Sequence, residues 1–178
     1  KHNARMYNCI TSYIDRVRFF QECMYLLMCG CGTGFSVQKH HIDKLPEFIK
    51  QKQGTKKFTI PDTIEGWSDA VGILVSSYFV QNELFQDYNG KSVQFDYSEI
   101  RPAGSYLQSS GGKAPGPEPL KLCLAHVDAI MDRKEDGEKL TPLECHDIMC
   151  HIANSVLAGG IRRSAMIALF SHDDEEMI

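Results

Sequence analysis

The chain has 178 residues, 43% hydrophobic and 24% charged, enough for one domain with a sizeable core and typical of a soluble globular protein. Lys and Arg number 19 against 23 Asp and Glu, a formal net charge of −4, which excludes a basic footprint for nonspecific nucleic-acid binding and requires any cations for an anionic ligand to be local. The longest apolar run, 70–80, is broken by Gly72, Ser76 and Ser77 and is too short to span a bilayer. No signal peptide is visible. Seven cysteines without a secreted-framework spacing read as reduced thiols in a cytoplasmic protein.

Asn8 to Ser12 is short and partly β-branched, as at a strand end. A helix follows, because Ile14, Val17, Phe20, Met24 and Leu27 recur at helical spacing while Asp15, Arg16, Arg18 and Gln21 populate the other faces. Gly30 stops it. Gly30, Gly32 and Gly34 then fall at every second position, which lets the backbone approach a ligand closely. A dinucleotide-binding turn needs a strand before and a helix after. Here a helix precedes and 35–37 reads as a strand, so that fold is rejected. Cys29 and Cys31 are closer than the usual zinc-ligand pair, and no second pair stands at a matching distance.

The polar stretch 39–54 predicts a short helix over 42–50, and 56–60 a strand ending at Pro61. Asp62 or Thr63 caps a long helix with Glu65 in its first turn. Ile64, Trp67, Val71, Leu74 and Tyr78 form its apolar stripe, with Trp67 as a core anchor. Asn89-Gly90 is the strongest hairpin-type turn signal in the chain, and 93–100 reads as a strand.

That strand runs into 99–120, E-I-R-P-A-G-S-Y-L-Q-S-S-G-G-K-A-P-G-P-E-P-L. Its prolines and glycines forbid a helix or a central strand. Arg101, Gly104-Ser105 and Ser109-Ser110-Gly111-Gly112-Lys113 offer glycine amides, hydroxyls and two cations, a set that suits a phosphate. The plain alternative is an ordered surface loop.

From Pro119 a helix carries Leu120, Cys123, Leu124, Val127, Ile130 and Met131 on one face; 132–139 is a solvated connection. Thr141-Pro142-Leu143-Glu144 has the cap, first-turn proline and third-position acid of a helix start. Cys145, Ile148, Met149, Ile152 and Val156 form the next stripe. His146 and Cys150 lie one turn apart, a spacing open to a metal, with packing the favoured reading. Gly159-Gly160 ends this helix, 161–164 is a basic turn, 165–170 a buried strand, and 171–177 acidic and exposed. Helices alternating with short apolar strands predict an α/β fold with a parallel or barrel sheet.

The pattern I-R-P-x-G-x-x-L-x-x-x-G-G-x-A-x-G-P-x-P-L over 100–120 strongly resembles the adenosylcobalamin-dependent (class II) ribonucleotide reductases, in particular the monomeric ribonucleoside-triphosphate reductases. Four stretches agree in order: N-C at 8–9, G-C-G-T-G-F-S-V at 30–37, D-T-I-E-G-W-S-D-A at 62–70, and H-I-A-N-S-V-L-A-G-G-I-R-R-S-A at 151–165. The resemblance implies part of a ten-stranded α/β barrel. Residues 1–178 would form a partial catalytic barrel domain, with 38–92 the insertion that replaces a partner subunit in a monomeric enzyme.

The resemblance also implies roles. Cys9 would be one half of a redox-active pair whose partner lies outside the chain. Asn8, Gly32, Gly34 and Ser36 would contact substrate. Arg101, Gly104 and Ser105 would belong to a first specificity loop that meets an effector phosphate. Gly160, Arg162, Arg163 and Ser164 would belong to a second loop that relays effector identity to the substrate base. The cofactor would be adenosylcobalamin, held mostly elsewhere. The implied partners are a ribonucleoside triphosphate, a deoxynucleotide effector and a thioredoxin-like reductant, with no nucleic acid, no membrane and no second subunit.

No N-P-C-G-E-like radical loop and no terminal cysteine pair are present in the sequence. The chain opens at Lys1 without Met and stops at Ile178 just past a strand, which points to a piece of a larger enzyme that does not turn over alone. Open strand edges predict poor solubility for such a piece. Competing readings are the large subunit of another reductase class, a noncatalytic nucleotide-binding module, and a metal protein using Cys29, Cys31, Cys145, His146 and Cys150.

Overall fold

The computed structural model describes residues 3–50, 52–80, 82–107, 112–157 and 164–178. Three short strands form a parallel sheet in the order β1 (Cys9–Tyr13), β2 (Gly32–Ser36), β5 (Met166–Leu169). Parallel neighbours need a crossover, and α1 (Arg18–Cys29) is the crossover between β1 and β2. Gly30, at φ 93°, ends α1, and the Cys31 N–H closes back on the carbonyl of Leu26 at 3.0 Å, the left-handed stop that glycine makes cheaply. Pairing sets Cys9 opposite Gly32, Thr11 opposite Gly34 and Tyr13 opposite Ser36, with Gly34 opposite Ile167 on the other side.

One face of this sheet is closed by helices. Phe35 lies in the same buried cluster as Phe20, Met24 and Leu27 of α1 and Cys145, Ile148 and Met149 of α5 (Pro142–Leu157). Helix α1 packs on α3 (Ile64–Ser76) and α5, and α4 (Glu118–Met131) bridges α3 and α5. Trp67 is buried in this core as expected, 6% exposed. Both predicted caps form. Thr63 Oγ1 accepts from the Gly66 N–H at 2.9 Å. Thr141 and Glu144 exchange bonds of 3.2 and 2.9 Å as a capping box.

A second, two-stranded sheet pairs β3 (Thr55–Thr59) with β4 (Ser92–Asp96), again in parallel. This corrects the hairpin suggested by Asn89-Gly90. Gly90 does turn, at φ 65°, but it delivers the chain into a strand whose partner precedes α3, so the connection is a helical crossover.

The helix over 42–50 is also corrected: α2 is only Lys39–Ile42. Pro46 disfavours helical backbone at Leu45, and the backbone beyond it is engaged elsewhere. Phe48 exchanges bonds with Glu138 and Gly137, at 2.8 and 3.0 Å, and Ile49 donates to Tyr78 at 2.9 Å. Strand β4 ends four residues early because Asp96 Oδ1 accepts the Ser98 N–H at 2.9 Å, forming an Asx turn. The strand expected to be buried over 165–170 is β5, half open, with Ile167 62% and Leu169 53% exposed. Among the described residues no helix is long and apolar enough to cross a membrane.

Candidate functional site

Side chains alternate across a strand. Cys9, Thr11 and Tyr13 of β1 therefore share the sheet face opposite the helices, and all three are exposed. Gly32, Gly34 and Ser36 stand opposite them in register, and Ile167 and Leu169 of β5 complete the face. The structure thus brings four of the expected site residues, Cys9, Gly32, Gly34 and Ser36, onto one sheet face, exposed at Cys9 and buried at Gly34 and Ser36. Asn8 adjoins it, its carbonyl accepting the Gly32 N–H at 2.8 Å and so pinning the start of β1 to β2.

The glycines of β2 leave room that the neighbouring strands use. A Cβ on Gly34 would lie 2.6 Å from Thr11 Cγ2 and 3.3 Å from Ile167 Cγ2, and one on Gly32 would lie 3.3 Å from Cys9 Sγ. Thr11 and Ile167 lean over Gly34, and the Cys9 sulfur fills the gap at Gly32. Ser36 is buried, its Oγ 3.3 Å from Gln38 Oε1 and accepting the Gln38 N–H at 3.3 Å.

All seven cysteines are free thiols, and Cys9 alone among them is classed as exposed. Burial pushes Cys23 and Cys123 up to about 12 and Cys145 well above its ordinary value, which keeps them as inert thiols. Burial likewise raises Cys31, with the Cys29 and Cys9 thiols adding to it. The Cys31 S–H faces the carbonyls of Ala4 and Tyr7 at 3.1 and 3.2 Å, tying the turn Asn3–Met6 to the sheet. His146 Nε2 stands 3.7 Å from Cys150 Sγ. Among the described residues no group of three or more His, Cys, Asp or Glu converges on a metal-sized site.

The loop after β4 is built as a narrow ribbon. Gly104, at φ 87°, donates to the Ala114 carbonyl at 2.8 Å, Ala114 returns a bond to Ser105 at 2.7 Å, and Leu107 donates to Gly112 at 2.8 Å. Ser105 Oγ donates to the Pro102 carbonyl at 2.8 Å. The donors of Gly104 and Ser105 are thus directed inside the ribbon, while Lys113 is exposed. Arg101 donates through Nε to Asp62 Oδ2, just ahead of α3. Ser109, Ser110, Gly111, Gly160, Arg162 and Arg163 lie outside the described residues. Ser164 precedes β5, with its Oγ buried and without a hydrogen-bond partner among the described residues.

Two features escaped the sequence reading. Tyr13 stacks on His41, ring centroids 4.5 Å apart and 22° between planes, and His40 stands behind at 3.9 Å. Burial first, then His40 and Lys44, hold His41 below its ordinary value. The alternation Cys9, Thr11, Tyr13 carried the signal for Tyr13 but nothing marked His41. The second is the Asp62 pairing with Arg101, hidden because Asp62 read as a helix cap.

Comparison with known proteins agrees with this architecture. The family described as B12-dependent ribonucleotide reductase, insertion domain, matches residues 35–131. An adenosylcobalamin-dependent ribonucleoside-triphosphate reductase of Lactobacillus acidophilus is 37% identical over 186 residues, covering 85% of this chain and 24% of that protein. One of the same name from Euglena gracilis is 33% identical over 177 residues, covering 99% of this chain and 23% of that protein. A crystal structure of a B-12 dependent (class II) ribonucleotide reductase superposes with a TM-score of 0.83 at 26% identity, over 97% of this chain and 30% of that one. The chain thus spans about a quarter of the length of the curated relatives it matches. With a family match over more than half of the chain and a shared fold along nearly all of it, the chain belongs to the B12-dependent ribonucleotide reductases.

Proposed function

We propose that the chain supplies one wall of a ten-stranded reductase barrel and, on that wall, a reductant and a substrate floor for converting ribonucleoside triphosphates to 2′-deoxyribonucleotides. The observation that carries this reading is the shared open face: Cys9 projects beside Gly32, on the same side as Gly34 and Ser36. A parallel sheet is normally covered on both faces, and the half-exposed Ile167 and Leu169 are what a barrel interior would bury. In this reading 38–92 is the insertion of the monomeric branch.

Replacing the ribose 2′-OH by hydrogen expels water and consumes two electrons. Two thiols supply them by forming a disulfide, which a thioredoxin-like dithiol then reduces by exchange. Cys9 is one of the two. Cys23, Cys31, Cys123 and Cys145 are buried, and Cys29 and Cys150 sit on helices, so none of them shares the open face and the second thiol comes from another segment. Arg101 contacts an effector phosphate as a charge-assisted donor. Gly160, Arg162, Arg163 and Ser164 belong to the loop that reads effector identity. The location is cytoplasmic, in keeping with seven free thiols.

Adenosylcobalamin supplies the homolysis that starts the radical. Gly32 and Gly34 offer it no cradle, because the room over them is taken by Cys9, Thr11 and Ile167. No step is therefore assigned to this chain through the cofactor.

A reductase polypeptide containing this sequence, given adenosylcobalamin, a ribonucleoside triphosphate and dithiothreitol, tests the assignment. Cys9→Ser should abolish multiple turnover and leave nucleotide binding intact. Sustained turnover by that variant would remove Cys9 from the redox pair. The 178-residue chain alone should not turn over.

A further inference from the structure

The ion pair between Arg101 and Asp62 joins the loop after β4 to the corner ahead of α3. Asp62 stands on a corner fixed from several sides. The Ile60 N–H donates to the Asp96 carbonyl at 2.9 Å, the Thr63 N–H to the Pro61 carbonyl at 2.8 Å, and Thr63 caps α3. Gly66 lets the first turn of α3 sit against Pro61, where any Cβ would collide. Arg101 opens the ribbon whose described residues are 101–107 and 112–116, next to Ile100, 7% exposed. The arginine side chain is 41% exposed and the carboxylate 27%.

The contact uses Nε alone. A guanidinium held at Nε by a carboxylate on rigid backbone keeps its plane fixed and aims its terminal amines elsewhere. We infer that Asp62 is a positioning residue that pre-orients the Arg101 guanidinium for a polyphosphate anion. This rests on the reading of Arg101 as an effector-phosphate contact and adds the residue that sets its geometry. Immobilising a long side chain is a cost that binding otherwise bears; Asp62 has already met it in the free chain.

The test is calorimetric titration of a reductase polypeptide containing this sequence with inorganic tripolyphosphate and, separately, with dATP. Asp62→Ala should weaken both by roughly three- to tenfold. Asp62→Asn keeps an acceptor for Nε and should restore affinity to within about twofold of wild type. Unchanged affinity in Asp62→Ala would overturn the inference. Tighter binding in both variants would also overturn it, because Asp62 would then be a competitor of the anion.

Arg101→Ala separates the two levels. If it binds both ligands as the wild type does, or if the wild type binds neither, the effector reading of Arg101 fails and the inference with it. If Arg101→Ala loses binding and Asp62→Ala does not, only the role of Asp62 fails. Trp67, one residue from Gly66, reports by fluorescence that the corner is folded in each variant. Should Asp62→Ala misfold, Asp62→Glu displaces the carboxylate by one methylene. It should weaken binding if Asp62 positions Arg101 and leave it unchanged if Asp62 is merely a neighbour.

Discussion

Gly66→Ala should destabilise the fold, although the same change in an ordinary helix stabilises it. Alanine is about 1 kcal/mol better than glycine in a helix interior, and Gly66 lies in the first turn of α3. A Cβ there, however, would point directly onto the carbonyl oxygen of Pro61 and lie 2.9 Å from Pro61 Cδ. Neither atom can turn away. The Pro61 carbonyl already accepts the Thr63 N–H, and Ile60 next to it is bonded to Asp96. Relief requires shifting the corner, an overpacking cost of about 1–3 kcal/mol. The shift also loosens the bond from the Gly66 N–H to Thr63 Oγ1, and a lost cap costs about 1 kcal/mol. Set against the helical gain, the net loss is about 1–3 kcal/mol. Urea unfolding followed by Trp67 fluorescence measures it. With an m-value of about 2 kcal/mol/M the midpoint should fall by roughly 0.5–1.5 M. A midpoint equal to or above that of the wild type would refute the steric account.

Two further outcomes are expected. Burial, aided by His126 at His151 and by His40 and Lys44 at His41, holds both imidazoles below their ordinary value. The unfolded chain then binds these protons more tightly, so stability is full above the unfolded value of about 6.5 and falls as pH drops through it towards the folded values. Midpoints measured from about pH 7.5 to 5.5 should decline, and His151→Gln should flatten the decline; an equally steep decline in that variant would clear His151 of the effect. Brief alkylation of the native chain with iodoacetamide should mark Cys9 ahead of Cys23, Cys31, Cys123 and Cys145, which are buried. Peptide mass spectrometry showing Cys145 modified as fast as Cys9 would contradict the packing of α5.

Much of the fold was legible because its signals are local. The stripes of α1, α3, α4 and α5, the stop at Gly30 and the Thr141–Glu144 capping box each lie within a few residues of one another. What the sequence misjudged was decided by distant partners. Residues 47–50 had a helical composition, but their backbone donors and acceptors are engaged by Tyr78, Gly137 and Glu138. Asn89-Gly90 announced a turn correctly. The partner of the following strand, though, is set across α3, and no dipeptide encodes that.

The site divides along the same line. The family resemblance, not the residue pattern alone, named Cys9, Gly32, Gly34 and Ser36 together, and the register of β1 and β2 sets them on one face. The loop after β4 is the opposite case. Its composition of glycine, serine and cations suggested a phosphate cradle, yet Gly104 and Ser105 spend their donors on Ala114 and Pro102. That leaves charge rather than backbone amides to recognise an anion at this end of the ribbon. A cation recognises an anion well only when its geometry is set beforehand. The residue that sets it, Asp62, is 39 positions away in sequence. Composition could therefore name Arg101 but not the carboxylate that orients it, and the asymmetry is physical: a donor type is written at one position, whereas its orientation is a property of the fold around it.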